Sequence, residues 1–281
     1  MAARACSIIV LQYNHADLTR QCLTSLRAHV DPRHEVILVD NHSTERDARE
    51  LGSEFPGVTW VACDDNGGFG RGNNTGAAHA RSEILLFLNN DTVIRSDFVS
   101  PLLRRFEERP DAAIVGPRLI NEDGSFQLSA GRLPTFAREA LDKVIAAAIA
   151  RRIGPVSGIV ERAFARAKPV EWVTGAALAI RRDVFQRLRG FDEAFFMYFE
   201  DKDLCARARD AGYEVWFEPA AEIVHQRGGS ASPRMARIYR ESQLRYYRLH
   251  RSALEQRLLA AYLRLAGRYP SGHASDDSAR H

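Results

Sequence analysis

The chain has 281 residues, 45% hydrophobic and 27% charged, an ordinary balance for a soluble globular protein with a large core. Net charge is only +3, yet residues 234–268 hold nine arginines against two glutamates and residues 132–168 hold eight basic against three acidic side chains, so the rest of the chain is acidic. No run approaches the roughly 18 apolar residues of a membrane span, no secretory signal opens the chain, and the four cysteines are scattered; a cytosolic protein with reduced thiols is predicted, and a disulfide scaffold or zinc ribbon is disfavoured.

Residues 7–12 form a β-rich run, and 17–28 carry helical spacing through Leu18, Cys22, Leu23 and Leu26. Residues 36–39 predict a strand that ends on Asp40. A helix is predicted over 45–55, a strand over 58–62 and a helix over 70–81. Residues 84–88 predict a strand running into Asn89-Asn90-Asp91, followed by a helix over 96–108 and a strand over 113–115. Short apolar strands alternating with helices imply a mostly parallel sheet with helices on both faces. Beyond it, 132–168 shows helical spacing, 170–180 reads as a strand interrupted by Gly175, and 183–189 and 200–211 read as helices. Residues 214–217 predict a strand, 237–266 a long helical region, and the polar end a disordered tail.

Asn14, Asp40, Asn66 and Asp91 each follow the C-terminal end of a predicted strand, where open α/β sheets bind ligands. The segment from Asp64 to Gly76, DDNGGFGRGNNTG, follows a strand and opens a helix. Its glycines would let backbone N–H groups approach an anion, with Asn73 and Asn74 as further donors. It lacks the Lys-Ser/Thr of a P-loop. Asp91 is placed to hold Mg²⁺ or Mn²⁺, which prefer oxygen ligands; its bland alternative is an N-cap on the helix that follows. Glu200 and Asp201 follow an aromatic approach, Phe195 to Phe199, which would raise a carboxylate pKa and suit a general base. As plain helix-start acids they would complement the helix dipole. His225 ends an apolar run, and its imidazole would complete a metal site.

In this order the motifs resemble those of family 2 glycosyltransferases of the GT-A fold, in particular a bacterial rhamnosyltransferase-like branch. The matching pieces are residues 7–14, 39–44, 66–76 and 88–92, then 175–177, 190–193, 196–204 and 225–230. The resemblance implies a GT-A fold: a Rossmann-like, mostly parallel sheet flanked by helices, with a C-terminal helical extension. It implies a catalytic domain over 1–232, divided into a nucleotide-sugar half (1–120) and an acceptor half (121–232) with a helical insertion at 133–168. A basic helical extension (233–268) and a disordered tail (269–281) follow.

By position, Asn14, Asp40, Asn66, Phe69, Gly72, Asn73 and Asn90 would bind the nucleotide-sugar. Asp91 and His225 would hold a divalent cation, although Asn89-Asn90-Asp91 lacks the first acid of the family's DxD motif. Asp201 would be the base, with Glu200 as the alternative. Trp172 and Asp192 would face the acceptor. The implied reaction is inverting transfer of a sugar, rhamnose from dTDP-rhamnose by branch, to a hydroxyl of a glycan or lipid-linked glycan in cell-surface polysaccharide synthesis. UDP- and GDP-sugars are the alternative donors.

The basic, amphipathic segments 136–149 and 238–265 suit an anionic membrane surface, which would place a cytoplasmic enzyme on the inner face of the plasma membrane. Their alternative is an apolar stripe at Leu254, Leu258, Tyr262 and Leu265 that packs on the core or on a second copy in a homodimer. A non-catalytic nucleotide- or nucleic-acid-binding module would leave the strand-end residues unexplained, so no nucleic-acid partner is expected. A nucleotidyltransferase would need a glycine-rich first turn that residues 12–15 lack.

Overall fold

A computed structural model describes residues 5–139, 141, 154–226 and 232–270. The expected apolar runs are β1 (Cys6–Gln12), β2 (Glu35–Asp40), β3 (Val58–Ala62) and β4 (Ile84–Asn89). They pair in parallel, in the order β3-β2-β1-β4. Ile8, Val10, Leu38 and Leu86 bury one face together with α1 (Ala16–His29) and α4 (Val99–Glu108). Ile9, Ile37, Val39 and Phe87 bury the other. Coverage of both faces explains why these strands read as continuous apolar runs and not as alternating ones. Helix α2 (Arg46–Glu50) is short. Helix α3 (Gly68–His79) lies directly on the sheet: a Cβ at Gly72 would stand 2.5 Å from Leu11 Cδ1, so only glycine permits the approach.

The sheet continues past β4 and becomes mixed. β11 (Ala177–Arg181) runs antiparallel between β4 and β6 (Ala112–Ile120). β12 (Glu214–His225) is parallel to β6, and β5 (Thr92–Val93) closes the edge antiparallel to β12. β7 (Phe126–Gln127) joins β6, and β9 (Lys168–Val170) joins β12. β8 (Ala130–Gly131) and β10 (Trp172–Val173) form a separate two-stranded sheet.

The strand expected over 170–180 is therefore three pieces. The amides of Glu171 and Thr174 bond to Gly131 and Ser129, both at 2.8 Å, and draw the chain into the small sheet. The strand expected at 214–217 continues to His225, with a register shift between Glu218 and Glu222 around Pro219, which has no N–H for the ladder. Helix α4 starts later than expected, because Asp97 Oδ1 caps it through the amides of Val99 and Ser100 at 3.0 and 3.1 Å. Asp91 is thus not that helix's cap.

Helices α5 (Gly154–Ala163), α6 (Arg182–Arg187) and α7 (Glu200–Asp210) complete the domain. The expected insertion helix over 136–149 falls largely outside the described residues, as does the tail. The long helical region is two helices, α8 (Pro233–His250) and α9 (Ala253–Leu265). Ser252 ends the run by accepting the Glu255 amide at 3.3 Å. Tyr246, Tyr247, Leu259 and Leu263 pack with Phe195, Phe199 and Leu133. The alternative in which the stripe packs on the core is not met by its leucines: Leu254, Leu258 and Leu265 are 66%, 42% and 91% exposed, and Tyr262, 40% exposed, meets the Phe136 ring. Packing uses the next arc of the helix instead.

Candidate active site

The loops after β1, β2 and β3 are laced together. Asn14 Oδ1 accepts the amides of Thr44 and Glu45 at 2.8 and 3.1 Å, in a left-handed backbone conformation with φ 57°. Asp40 is buried and its Oδ1 accepts from Gln12 Nε2 at 3.2 Å and from the Ser43 amide at 3.2 Å. Asn41 Nδ2 donates to Asn66 Oδ1 at 2.9 Å. These bonds tie the loops after β1, β2 and β3 to one another.

The glycine loop acts chiefly through packing. Gly68 has φ 81°, and a Cβ there would lie 2.1 Å from the Phe196 carbonyl oxygen. The amides of Gly67, Gly68 and Phe69 donate to Asp65 O, Asn66 Oδ1 and Phe196 O at 3.1, 3.1 and 2.7 Å. These three amides are therefore taken by protein oxygens and are not free for an anion. What the loop offers a ligand is side chains. Phe69 packs edge-on against Phe191 at 5.7 Å, and Asn73 keeps a buried Oδ1 with no hydrogen-bond partner. Gly72 is buried on the side of α3 that faces Leu11, and Asn74 bonds both the amide and the carbonyl of Phe191.

Past β4, Asn90 donates to Thr19 Oγ1 at 2.9 Å, and Asp91 faces His225 across the β5–β12 pairing. Asp91 Oδ1 lies 3.2 Å from His225 Nε2. The other ring nitrogen is fixed by Gln127, a buried residue of β7. Gln127 Nε2 donates to the His225 carbonyl and to Asn121 Oδ1, each at 2.6 Å. Its Oε1, 3.0 Å from His225 Nδ1, is then the acceptor, and Nδ1 carries the hydrogen. In the neutral ring this leaves the Nε2 lone pair directed toward a carboxylate oxygen, a donor pair that fits a divalent cation. Among the described residues no group of three or more His, Cys, Asp or Glu clusters at metal-binding distance. Two protein ligands fit Mg²⁺ or Mn²⁺ when diphosphate and water oxygens supply the rest.

The acid pair opens α7. Tyr198 and Phe199 precede it at φ 69° and 68°, a strained conformation for aromatic residues that aims the chain into the helix. Asp201 is pinned by two amides, Gly175 at 2.9 Å to Oδ2 and Lys202 at 2.7 Å to Oδ1. Glu200 is buried with Oε2 unpartnered. Burial, then the neighbouring Asp201 charge, pushes its carboxyl up to about 8. Gly175 lies beside the end of β4, where the Asn89 amide donates to Ala176 O at 2.9 Å. The β4–β11 pairing sets Gly175, the Asp201 anchor, at the end of the sheet where β4 runs out toward Asp91, and the β5–β12 pairing brings His225 to that residue. Phe69 joins them, its ring 3.1 Å from the Cβ position of Gly175.

Trp172 stands by Lys202, whose Nζ is 4.9 Å from its ring centre. Asp192 is held by Arg245 of α8 at 2.6 Å and by the Ala194 amide at 3.0 Å, so it also braces the C-terminal helices. Asp203, on the same helix as the acid pair, is buried between His250 Nε2 and Arg207 Nε, both at 2.8 Å. Gln127 and Asn41 were missed as site residues in the sequence. Asn41 lies inside the motif 39–44 and invited the reading. Nothing local marks Gln127, whose partner is 98 positions away.

A parallel β3-β2-β1-β4 half joined to a mixed second half, flanked by helices, is a GT-A architecture. The family model "Glycosyl transferase family 2" matches residues 7–189, and the chain belongs to that family; it is a glycosyltransferase. The chain is 27% identical over 234 residues to N-acetylglucosaminyl-diphospho-decaprenol L-rhamnosyltransferase of Mycobacterium tuberculosis, covering 79% of this chain and 76% of that protein. It is 25% identical over 226 residues to rhamnosyltransferase WbbL of Escherichia coli K12, covering 78% and 82%. Its fold matches the crystal structure of GalNAc-T7 with UDP, GalNAc and Mn²⁺, with a TM-score of 0.62 and 16% identity; the match covers 88% of this chain and 50% of that one.

Proposed function

We propose that the protein transfers rhamnose from dTDP-rhamnose, with inversion, to a hydroxyl of a lipid-linked glycan in cell-surface polysaccharide synthesis at the inner face of the membrane. The observation that carries the reading is Asp201, pinned by the Gly175 amide at the end of the sheet where β4 runs out toward Asp91 and His225. The names of the two rhamnosyltransferase relatives support the sugar, and the mycobacterial name supports a lipid-diphosphate acceptor.

Asp201 takes the proton of the acceptor hydroxyl, and the oxygen attacks the anomeric carbon from the face opposite the diphosphate. The bond from that carbon to the phosphate oxygen breaks, and its electron pair leaves with the diphosphate. One displacement inverts the anomeric centre. Two backbone amides hold Asp201 in a fixed orientation, while Glu200, protonated near neutral pH, adds no second charge beside it. Asp91 and His225 would hold a divalent cation, which supplies charge neutralisation at the leaving diphosphate when bound. Asp40, Asn14 and Asn66 shape the nucleoside rim, and Phe69, Asn73 and Asn90 the diphosphate-sugar side, with Gly72 setting how closely α3 lies on the sheet beneath them. Trp172 borders the acceptor entrance. Residues 1–120 and 121–232 serve as donor and acceptor halves.

Thermal-shift titration with dTDP-rhamnose, UDP- and GDP-sugars, each with and without Mn²⁺, tests donor and metal together. Stabilisation by dTDP-rhamnose that grows with Mn²⁺ is expected. Stabilisation by a UDP- or GDP-sugar alone would overturn the donor assignment.

A further inference from the structure

Outside the catalytic edge, a cleft of about 460 Å³ opens between residues 132–138, the C-terminal end of α7 and the α8–α9 junction. Arg132, Arg138, Arg209 and Arg251 line it against Glu171 and Asp210. Glu171 is engaged, accepting the Leu133 amide at 2.8 Å. Elsewhere the arginines of this region are neutralised, as in Arg245–Asp192, Arg207–Asp203 and Arg237–Glu241. Among the described residues Arg132, Arg209 and Arg251 form no ion pair with a carboxylate. Arg251 donates through Nη2 to the Tyr246 hydroxyl at 3.1 Å, but its Nε is buried with no acceptor. A guanidinium N–H left unsatisfied is costly, and a phosphate oxygen is the acceptor that best satisfies several arginines at once.

The cleft shares an edge with the exposed face of α9. Thr135 lines the cleft, and the adjacent Phe136 packs on Tyr262 with ring centres 6.3 Å apart. The Phe136 amide donates to Glu255 at 3.3 Å, and α9 begins two residues after Arg251. From that edge Leu254, Leu258 and Leu265 run along α9 in solvent, with exposed Arg257, Arg264 and Arg268 beside them. The leucines lie on one arc, and the core-facing Leu259 and Leu263 on another. A soluble helix has no packing use for a second apolar arc.

We propose that this cleft and the α9 arc together form a membrane contact, in which Arg132, Arg209 and Arg251 grip the phosphate headgroup of an anionic lipid and the leucines enter the acyl boundary. Charge favours this occupant over a second copy of the chain. A two-fold interface would set the same patch against itself and bring arginines face to face. An anionic bilayer complements both parts, through apolar burial and attraction of basic side chains. The contact does not depend on the donor or on sugar transfer, and binding is measured without nucleotide, so its failure and that of the proposed reaction are separable.

The test is flotation of the full chain with phosphatidylcholine vesicles, with and without phosphatidate, at low salt. Wild type is expected to float with the phosphatidate vesicles and not with the neutral ones. Arg132→Ala/Arg209→Ala, two exposed side chains without ion pairs, is expected to lose at least tenfold in partition, as is Leu254→Ser/Leu258→Ser/Leu265→Ser. Both should keep the wild-type melting temperature. Absence of wild-type binding, or equal binding by the arginine pair variant, overturns the proposal. So does binding of soluble pyrophosphate in the cleft without vesicle binding, which would make it a free-anion site. A dimer that the leucine substitutions dissociate, again without vesicle binding, would make the arc an interface between copies.

Discussion

Asp91 Oδ1 and His225 Nε2 face each other at 3.2 Å, and Gln127 holds the far side of the imidazole at 3.0 Å. A ring so fixed presents the same nitrogen to the same place whether or not a ligand is present. Replacing Gln127 by Leu frees the ring and should weaken Mn²⁺ binding about 10- to 100-fold, the range for residues that orient metal ligands. Electron paramagnetic resonance titration of Mn²⁺ with a nucleoside diphosphate present measures it. Asp91→Asn should weaken binding further. Unchanged affinity in both variants would remove the cation from this pair.

The raised carboxyl of Glu200 sets a pH dependence of stability. The unfolded chain releases this proton near 4.5 and the folded chain near 8. Between those values the folded state binds more protons, so stability falls as pH rises through the window and then levels off above it. Glu200→Gln has no proton to lose. Its melting temperature should drop less than that of wild type between about pH 6 and about pH 9. Equal drops would show that Glu200 is not the group responsible.

Gly68 joins the loop after β3 to the loop that precedes the acid pair. Its left-handed backbone and the 2.1 Å clash awaiting a Cβ leave no room for alanine. Gly68→Ala should destabilise the fold by about 2 kcal/mol or more. Activity should fall with it, because the same shift displaces Phe69 and the 196–201 segment. Chemical denaturation and turnover on one preparation would test this, and a fully stable variant would contradict it.

Asp203 ties α7 to α8. Burial opposes its ionisation, yet the hydrogen bond from His250 and the charge of Arg207 outweigh it and hold the carboxyl below its ordinary range. Stability from this group is present above the unfolded carboxyl's range and is lost as pH falls through the lowered folded value. Asp203→Ala should cost about 3–5 kcal/mol, the range for breaking a buried pair. It should also increase protease sensitivity within α8 and α9. Limited proteolysis followed by mass spectrometry reads it directly.

The four parallel strands were legible because both their faces are buried, so apolar runs stand out against polar ends. Asp40, Asn66 and Asp91 were visible for the same reason, since each follows such a run. β12 was legible for only its first third, because Pro219 and Glu222 break the pattern at the register shift that lets the strand reach His225. The partner of His225 was invisible: Gln127 is an ordinary polar residue on a two-residue strand, and only the β6–β7 hairpin brings it near. The α9 leucines were seen as a stripe, but periodicity states that a face is apolar and not what it meets. Tertiary packing chose Leu259 and Leu263 instead.

The central claim is that Asp201 removes the acceptor proton in a single inverting displacement. The most direct measurement is single-turnover transfer from dTDP-rhamnose by wild type and Asp201→Asn, with donor affinity measured on the same samples and the product's anomeric configuration read by NMR. The expected result is an inverted product and a loss of about 10²–10⁴ in rate for the variant, with donor binding nearly unchanged. Transfer by Asp201→Asn at the wild-type rate, or a product of retained configuration, would contradict the account.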